Sequence, residues 1–204
     1  MKFQPVINII GLLLSILAVF MLIPAIIDYF LDSNDWPAFL VSSFITLFVG
    51  ASLFLSSRGG KSEHLELRQA FLLTNSAWIS ISLFGSLPFL FSELNLSLID
   101  AIFESTSGIT TTGSTVILKL EQVSYGILLW RALLQWLGGI GIIVMAIAIL
   151  PMLSIGGMQL FKTESYETPE KVIPRAATFA SGISIVYATL TFFWSLMLWL
   201  VGMP

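Results

Sequence analysis

The sequence predicts an all-α membrane protein, with five transmembrane helices and one half-length, re-entrant helix that hands over to an extended loop. Three observations carry this. Of the 204 residues, 56% are hydrophobic and only 10% are charged, whereas a soluble domain carries about 25% charged residues. Five stretches are apolar for long enough to cross about 30 Å of hydrocarbon, which takes about 20 residues. Between the third and fourth lies STSGITTTGST, residues 105–115, with eight hydroxyl side chains, two glycines and one isoleucine. That run can neither build an apolar core nor continue a membrane helix well.

In chain order, the predicted spans are 6–27, 36–57, 69–92, 126–152 and 176–202. Four contain no charged residue, and the fourth contains one, Arg131. The first is too long for a signal peptide, is preceded only by Lys2, and lacks a small-residue cleavage pattern; it reads as a retained anchor. Connecting charges set the orientation. Segments 58–68 and 162–175 each carry three Lys/Arg, residues 28–35 carry none, and 93–125 carry only Lys119. The positive-inside rule then puts 58–68, 162–175 and the N-terminus in the cytoplasm and the other two connections outside. The five spans alternate consistently under that assignment.

Composition also excludes. Zero cysteines remove disulfides, thiolate chemistry and cysteine metal sites, and one histidine, His64, cannot form a histidine cluster. No G-x-x-x-x-G-K run is present for phosphate binding. The chain does not read as an enzyme; it is expected to need no cofactor and to bind no nucleic acid.

The hydroxyl-rich run follows SLIDAIFESTSG, residues 97–108. Ser97 and Asp100 have the spacing of a capping box at a helix start, and Gly108 is a candidate stop. About ten helical residues rise roughly 15 Å, half a crossing. With complete spans on both sides, the segment starts and ends outside, which makes it re-entrant. Irregular backbone at membrane depth is tolerated only where it is buried in protein or lines a water-filled path. A row of carbonyl oxygens can replace the hydration shell of a monovalent cation. The partially negative C-terminal end of the short helix favours such a cation, and glycine permits the dihedrals that turn its carbonyl toward one.

Residues 103–115, FESTSGITTTGST, resemble the first pore helix and filter of the Trk/Ktr/HKT superfamily of potassium transporters, with the bacterial TrkH branch the nearest likeness. WRALLQWLGGIG at 130–141, followed by AILP at 148–151, resembles the helix after that filter. Two extra N-terminal helices are also typical of that branch. The resemblance implies a pore of four linked helix–pore-loop–helix repeats, each supplying one filter strand. Thr110, Thr111, Thr112 and Gly113 would line the potassium path through backbone carbonyls, with hydroxyls as a second source of oxygen.

This division follows: 1–68, two N-terminal helices and a cytoplasmic loop; 69–152, the first repeat; 153–175, a cytoplasmic connection; 176–204, the first helix of a second, truncated repeat. One strand cannot encircle an ion. The remaining strands are expected from the rest of a longer transporter, with self-association as the other route. The resemblance further implies a bacterial inner membrane and a cytosolic nucleotide-binding regulatory subunit, for which 156–175 is the candidate contact. The competing reading is a non-transporting membrane scaffold whose loop only packs between spans.

Further residues carry narrower expectations. Arg131 pairs with Glu104 or Glu121, or snorkels to the outer headgroups. Gly138, Gly139 and Gly141 serve close helix packing rather than a hinge. Glu104 ties the short helix to a neighbour. Trp36, Trp130, Trp194 and Trp199, near span ends, read as interfacial belts.

Overall fold

The computed structural model describes residues 3–57, 67–149 and 172–202. Seven α-helices lie among them: α1 (Gln4–Phe30), α2 (Trp36–Ser56), α3 (Leu67–Gly85), α4 (Leu87–Phe91), α5 (Leu98–Ile109), α6 (Tyr125–Ile149) and α7 (Val172–Leu200). A single 3-10 turn, Leu120–Gln122, precedes α6, and no strand occurs among the described residues. Five segments are long and apolar enough to cross a membrane: Gln4–Phe30, Trp36–Ser56, Arg68–Phe91, Tyr125–Ile143 and Ser181–Leu200. The all-α membrane architecture expected from the sequence is therefore present.

The described residues up to Gly139 form one compact unit. Within it, α1 and α2 cross where side chains are smallest. A Cβ on Gly11 would stand 2.6 Å from the Phe54 nitrogen, and one on Gly50 would stand 2.8 Å from the Ser15 nitrogen. Lipid tails are as apolar as leucine, so helices adhere in membranes by close backbone approach and a few interhelical hydrogen bonds. Here the Ser43 hydroxyl donates to the Ala18 carbonyl at 2.8 Å, and the Asn8 amide donates to Ser57 Oγ at 3.1 Å.

The third span is broken. Pro88 has no N–H to return to the helix, and α3 ends at Gly85 before the short α4 resumes. At the break, the Gly85 carbonyl accepts the Trp130 indole N–H at 3.0 Å. Trp130 is fully buried, edge-on to Phe39 with ring centroids 6.4 Å apart. It is a core residue rather than an interfacial one, because its only polar atom is satisfied inside the protein. Trp36 does sit at a span end, half-buried and edge-on to Tyr29.

A second unit comprises 140–204, of which 140–149 and 172–202 are described. Its long helix, α7, starts four residues before the predicted 176. Trp194 and Trp199 are exposed on it, at 61% and 69%. The expected cytoplasmic loop at 58–68 falls mostly outside the described residues. So do most of the 156–175 connection and the Leu150–Pro151 end of the second motif.

Candidate functional site: the loop after α5

Ser97 caps α5 as its spacing predicts. Its hydroxyl accepts the Asp100 N–H at 3.2 Å and donates to the Asp100 carboxylate at 2.7 Å. The other end differs from expectation. Gly108 lies inside the helix, which runs to Ile109. The missing Cβ serves packing instead, since one on Gly108 would stand 3.0 Å from Leu134 Cβ on α6.

The helix ends in a Schellman arrangement built on threonine. Thr110 is the C-cap; the Thr111 N–H donates to the Gly108 carbonyl at 2.9 Å and the Thr112 N–H to the Ser107 carbonyl at 3.0 Å. The residue after the cap takes left-handed dihedrals and is usually glycine. Here it is Thr111, with φ +58°. For a β-branched residue this is a true outlier, costing about 1–3 kcal/mol. Gly113, with φ +78°, is the next left-handed residue.

Thr110, Thr111, Thr112 and Gly113 thus share one exposed turn directly beyond the α5 C-terminus. The Thr110 hydroxyl donates to the Thr106 carbonyl at 2.7 Å and lies 2.9 Å from the Thr112 hydroxyl. Among the described residues, no donor reaches the backbone carbonyls of these four residues.

Sequence reasoning singled out Glu104 as a tie to a neighbour but did not foresee that Ser107 and Glu104 hold the turn. Ser107 grips it twice: its carbonyl accepts the Thr112 and Gly113 N–H groups, and its hydroxyl donates to the Ser114 carbonyl at 2.6 Å. Glu104, with a fully buried side chain, takes the continuing ribbon. Its Oε1 accepts the Thr115 hydroxyl and the Val116 N–H, both at 2.6 Å. Its Oε2 meets Arg131 Nε at 3.0 Å, and that arginine side chain is only 13% exposed. Glu104, rather than Glu121 or the headgroups, is the partner of Arg131. Losing one member of a buried pair costs about 3–5 kcal/mol. A carboxylate eleven residues before Thr115, inside an apolar half-helix, was the available signal.

Glycines bring α6 against this assembly. A Cβ on Gly138 would overlap the Ile109 carbonyl oxygen, whereas one on Gly141 would meet no described atom within 4 Å. Gly138 is therefore a packing glycine, as expected, and Gly141 has no such duty within the described residues. A Cβ on Gly113 would approach only Gln135 Nε2, at 3.8 Å, so backbone conformation rather than space favours glycine there.

Comparison with known proteins agrees with this architecture. The family model described as TrkH, cation transport protein, matches residues 36–201. The Trk system potassium uptake protein TrkH of Vibrio parahaemolyticus is 42% identical over 206 residues, covering 100% of this chain and 42% of the relative. TrkH of Escherichia coli K12 is 40% identical, with 100% and 42% covered. The crystal structure of the potassium transporter TrkH from Vibrio parahaemolyticus superposes with a TM-score of 0.85 at 39% identity, covering 100% of this chain and 41% of that one. The chain spans about two-fifths of the length of these relatives. It belongs to the TrkH family of cation transport proteins.

Proposed function

We propose that this chain forms the N-terminal part of the membrane subunit of a potassium uptake transporter, and that Thr110, Thr111, Thr112 and Gly113 supply one of its filter strands. The observation that carries the proposal is the turn after α5, an exposed turn whose four backbone carbonyls no described donor claims. Neutral oxygens of this kind can replace a monovalent cation's hydration shell. Positive φ at Thr111 and Gly113, with Thr112 between them not so, supports the reading. In a uniformly extended ribbon successive carbonyls alternate faces; alternation in the sign of φ is one way to bring them to the same face. Thr110 and Thr112 spend their hydroxyls on Thr106 and on each other, which favours carbonyls over side chains as the lining.

On this reading α5 is a re-entrant pore helix, 69–152 is the first repeat, and α7 begins the second. The remaining filter strands come from the rest of a longer polypeptide, in keeping with the share of its relatives that the chain covers. The Lys/Arg distribution supports an inner-membrane orientation with a cytoplasmic N-terminus. A cytosolic nucleotide-binding subunit would meet the 156–175 connection.

The test is cation uptake by the complete transporter carrying Gly113→Ala, with Gly113→Asn as the conservative variant. An alanine held left-handed costs about 1–2 kcal/mol, while asparagine visits that region more readily. Rubidium-over-sodium uptake is expected to fall with alanine and to be partly kept with asparagine. Unchanged flux and selectivity in both would overturn the filter assignment and favour a purely structural loop.

A further inference from the structure

The outer segment that carries the loop is held at both ends by residues outside its own repeat. At its start, the Glu93 N–H donates to Asp35 Oδ1 at 2.8 Å. At its end, the Gly126 N–H, in the first turn of α6, donates to Asp28 Oδ1 at 2.7 Å. Both carboxylates come from the α1–α2 hairpin. Asp28 is fully buried in the last turn of α1, and Asp35 is buried immediately before α2. Gly126 is fitted to its partner so closely that a Cβ there would overlap the Asp28 carboxylate. Asp32, between the two, is exposed.

We propose that the α1–α2 hairpin is a brace for the pore loop, with Asp28 and Asp35 as positioning residues. They fix the two ends of 93–126, and so fix where the 110–113 turn stands relative to the spans. The inference rests on the filter reading above and assigns a task to the hairpin, which lies outside the repeat. Its physical basis is that buried carboxylates are costly unless hydrogen-bonded. Two of them spent on accepting backbone N–H groups from one distant segment bind that segment specifically. A hairpin needed only to fill lipid-facing volume has no use for either. The α1–α2 crossing itself is sustained by Gly11, Gly50 and Ser43 without them.

The experiment measures rubidium and sodium uptake by the complete transporter, at matched membrane abundance, for Asp28→Ala, Asp35→Ala, their Asn counterparts and Asp32→Asn. Each alanine variant removes the acceptor for a backbone N–H and is expected to lower rubidium-over-sodium selectivity by on the order of tenfold. The asparagine variants keep an acceptor oxygen and should recover most of it; Asp32→Asn should match the parent. Rescue by asparagine separates positioning from a need for charge. Selectivity unchanged in both alanine variants, while Gly113→Ala alters it, would overturn the brace and leave the filter standing. If Gly113→Ala also changes nothing, the filter reading falls first. Should the alanine variants fail to reach the membrane, amide hydrogen exchange on the unaltered transporter decides. Gly126 and Glu93 are expected among the slowest amides of the outer segment, and rapid exchange at both would overturn the proposal.

Discussion

The α1–α2 crossing and the loop after α5 lie in the same compact unit and are held by opposite means. At the crossing, regular helices satisfy their own backbone, so contact needs only small residues: Gly11 on Gly50, and Ser43 reaching Ala18. At the loop, backbone leaves helical geometry at Thr111 and each freed group must be met from elsewhere. Glu104, itself paired with Arg131, and Ser107 do that locally, and Asp28 and Asp35 at a distance. Close approach through small residues suffices for helices in lipid, whereas irregular backbone demands a dedicated acceptor or donor for each unpaired group. The four carbonyls left without a described donor stand out against that accounting.

The comparison breaks most sharply at Glu104. Glu104→Ala removes the acceptor for Thr115 and Val116 and strands Arg131, with an expected loss of about 3–5 kcal/mol. Thermal unfolding of the detergent-purified transporter should show it, together with loss of rubidium uptake. Stability within error of the parent would mean that the clamp is dispensable. Next comes Gly138→Ala, whose Cβ cannot coexist with the Ile109 carbonyl oxygen. Overpacking of this kind costs about 1–3 kcal/mol. Gly141→Ala, whose Cβ meets no described residue, should instead be neutral or gain up to about 1 kcal/mol from helix propensity.

Thr111→Gly is expected to separate stability from function. Relief of the left-handed strain should stabilise the protein by about 1 kcal/mol, while a looser turn lowers rubidium-over-sodium selectivity. A variant both more stable and equally selective would show that the strain has no part in transport. The smallest effect is expected at the crossing. Ser43→Ala removes one interhelical hydrogen bond of a kind that contributes about 0.6 kcal/mol. Uptake ratios should be unaffected; a change in selectivity there would blur the distinction between the two regions.

What the sequence made legible follows the same divide. Apolar runs announced all five spans, and Ser97 with Asp100 announced the start of α5, because both signals are local. The end of α5 was misjudged at Gly108. That glycine answers to Leu134 on α6, a tertiary contact that no local pattern encodes. Trp130 read as interfacial from its position near a span end, yet the break after Gly85 gives its indole a carbonyl to bond inside the protein. Asp28 and Asp35 looked like ordinary residues of an outer turn. Their partners are 98 and 58 residues away, and only folding brings those amides to them.

The most direct measurement is crystallographic, on the complete transporter soaked in rubidium or thallium. Anomalous density should fall within coordination distance of the carbonyl oxygens of Thr110, Thr111, Thr112 and Gly113, on the axis shared with the other filter strands. Strong ion density elsewhere in the protein, with none near those four carbonyls, would contradict the assignment.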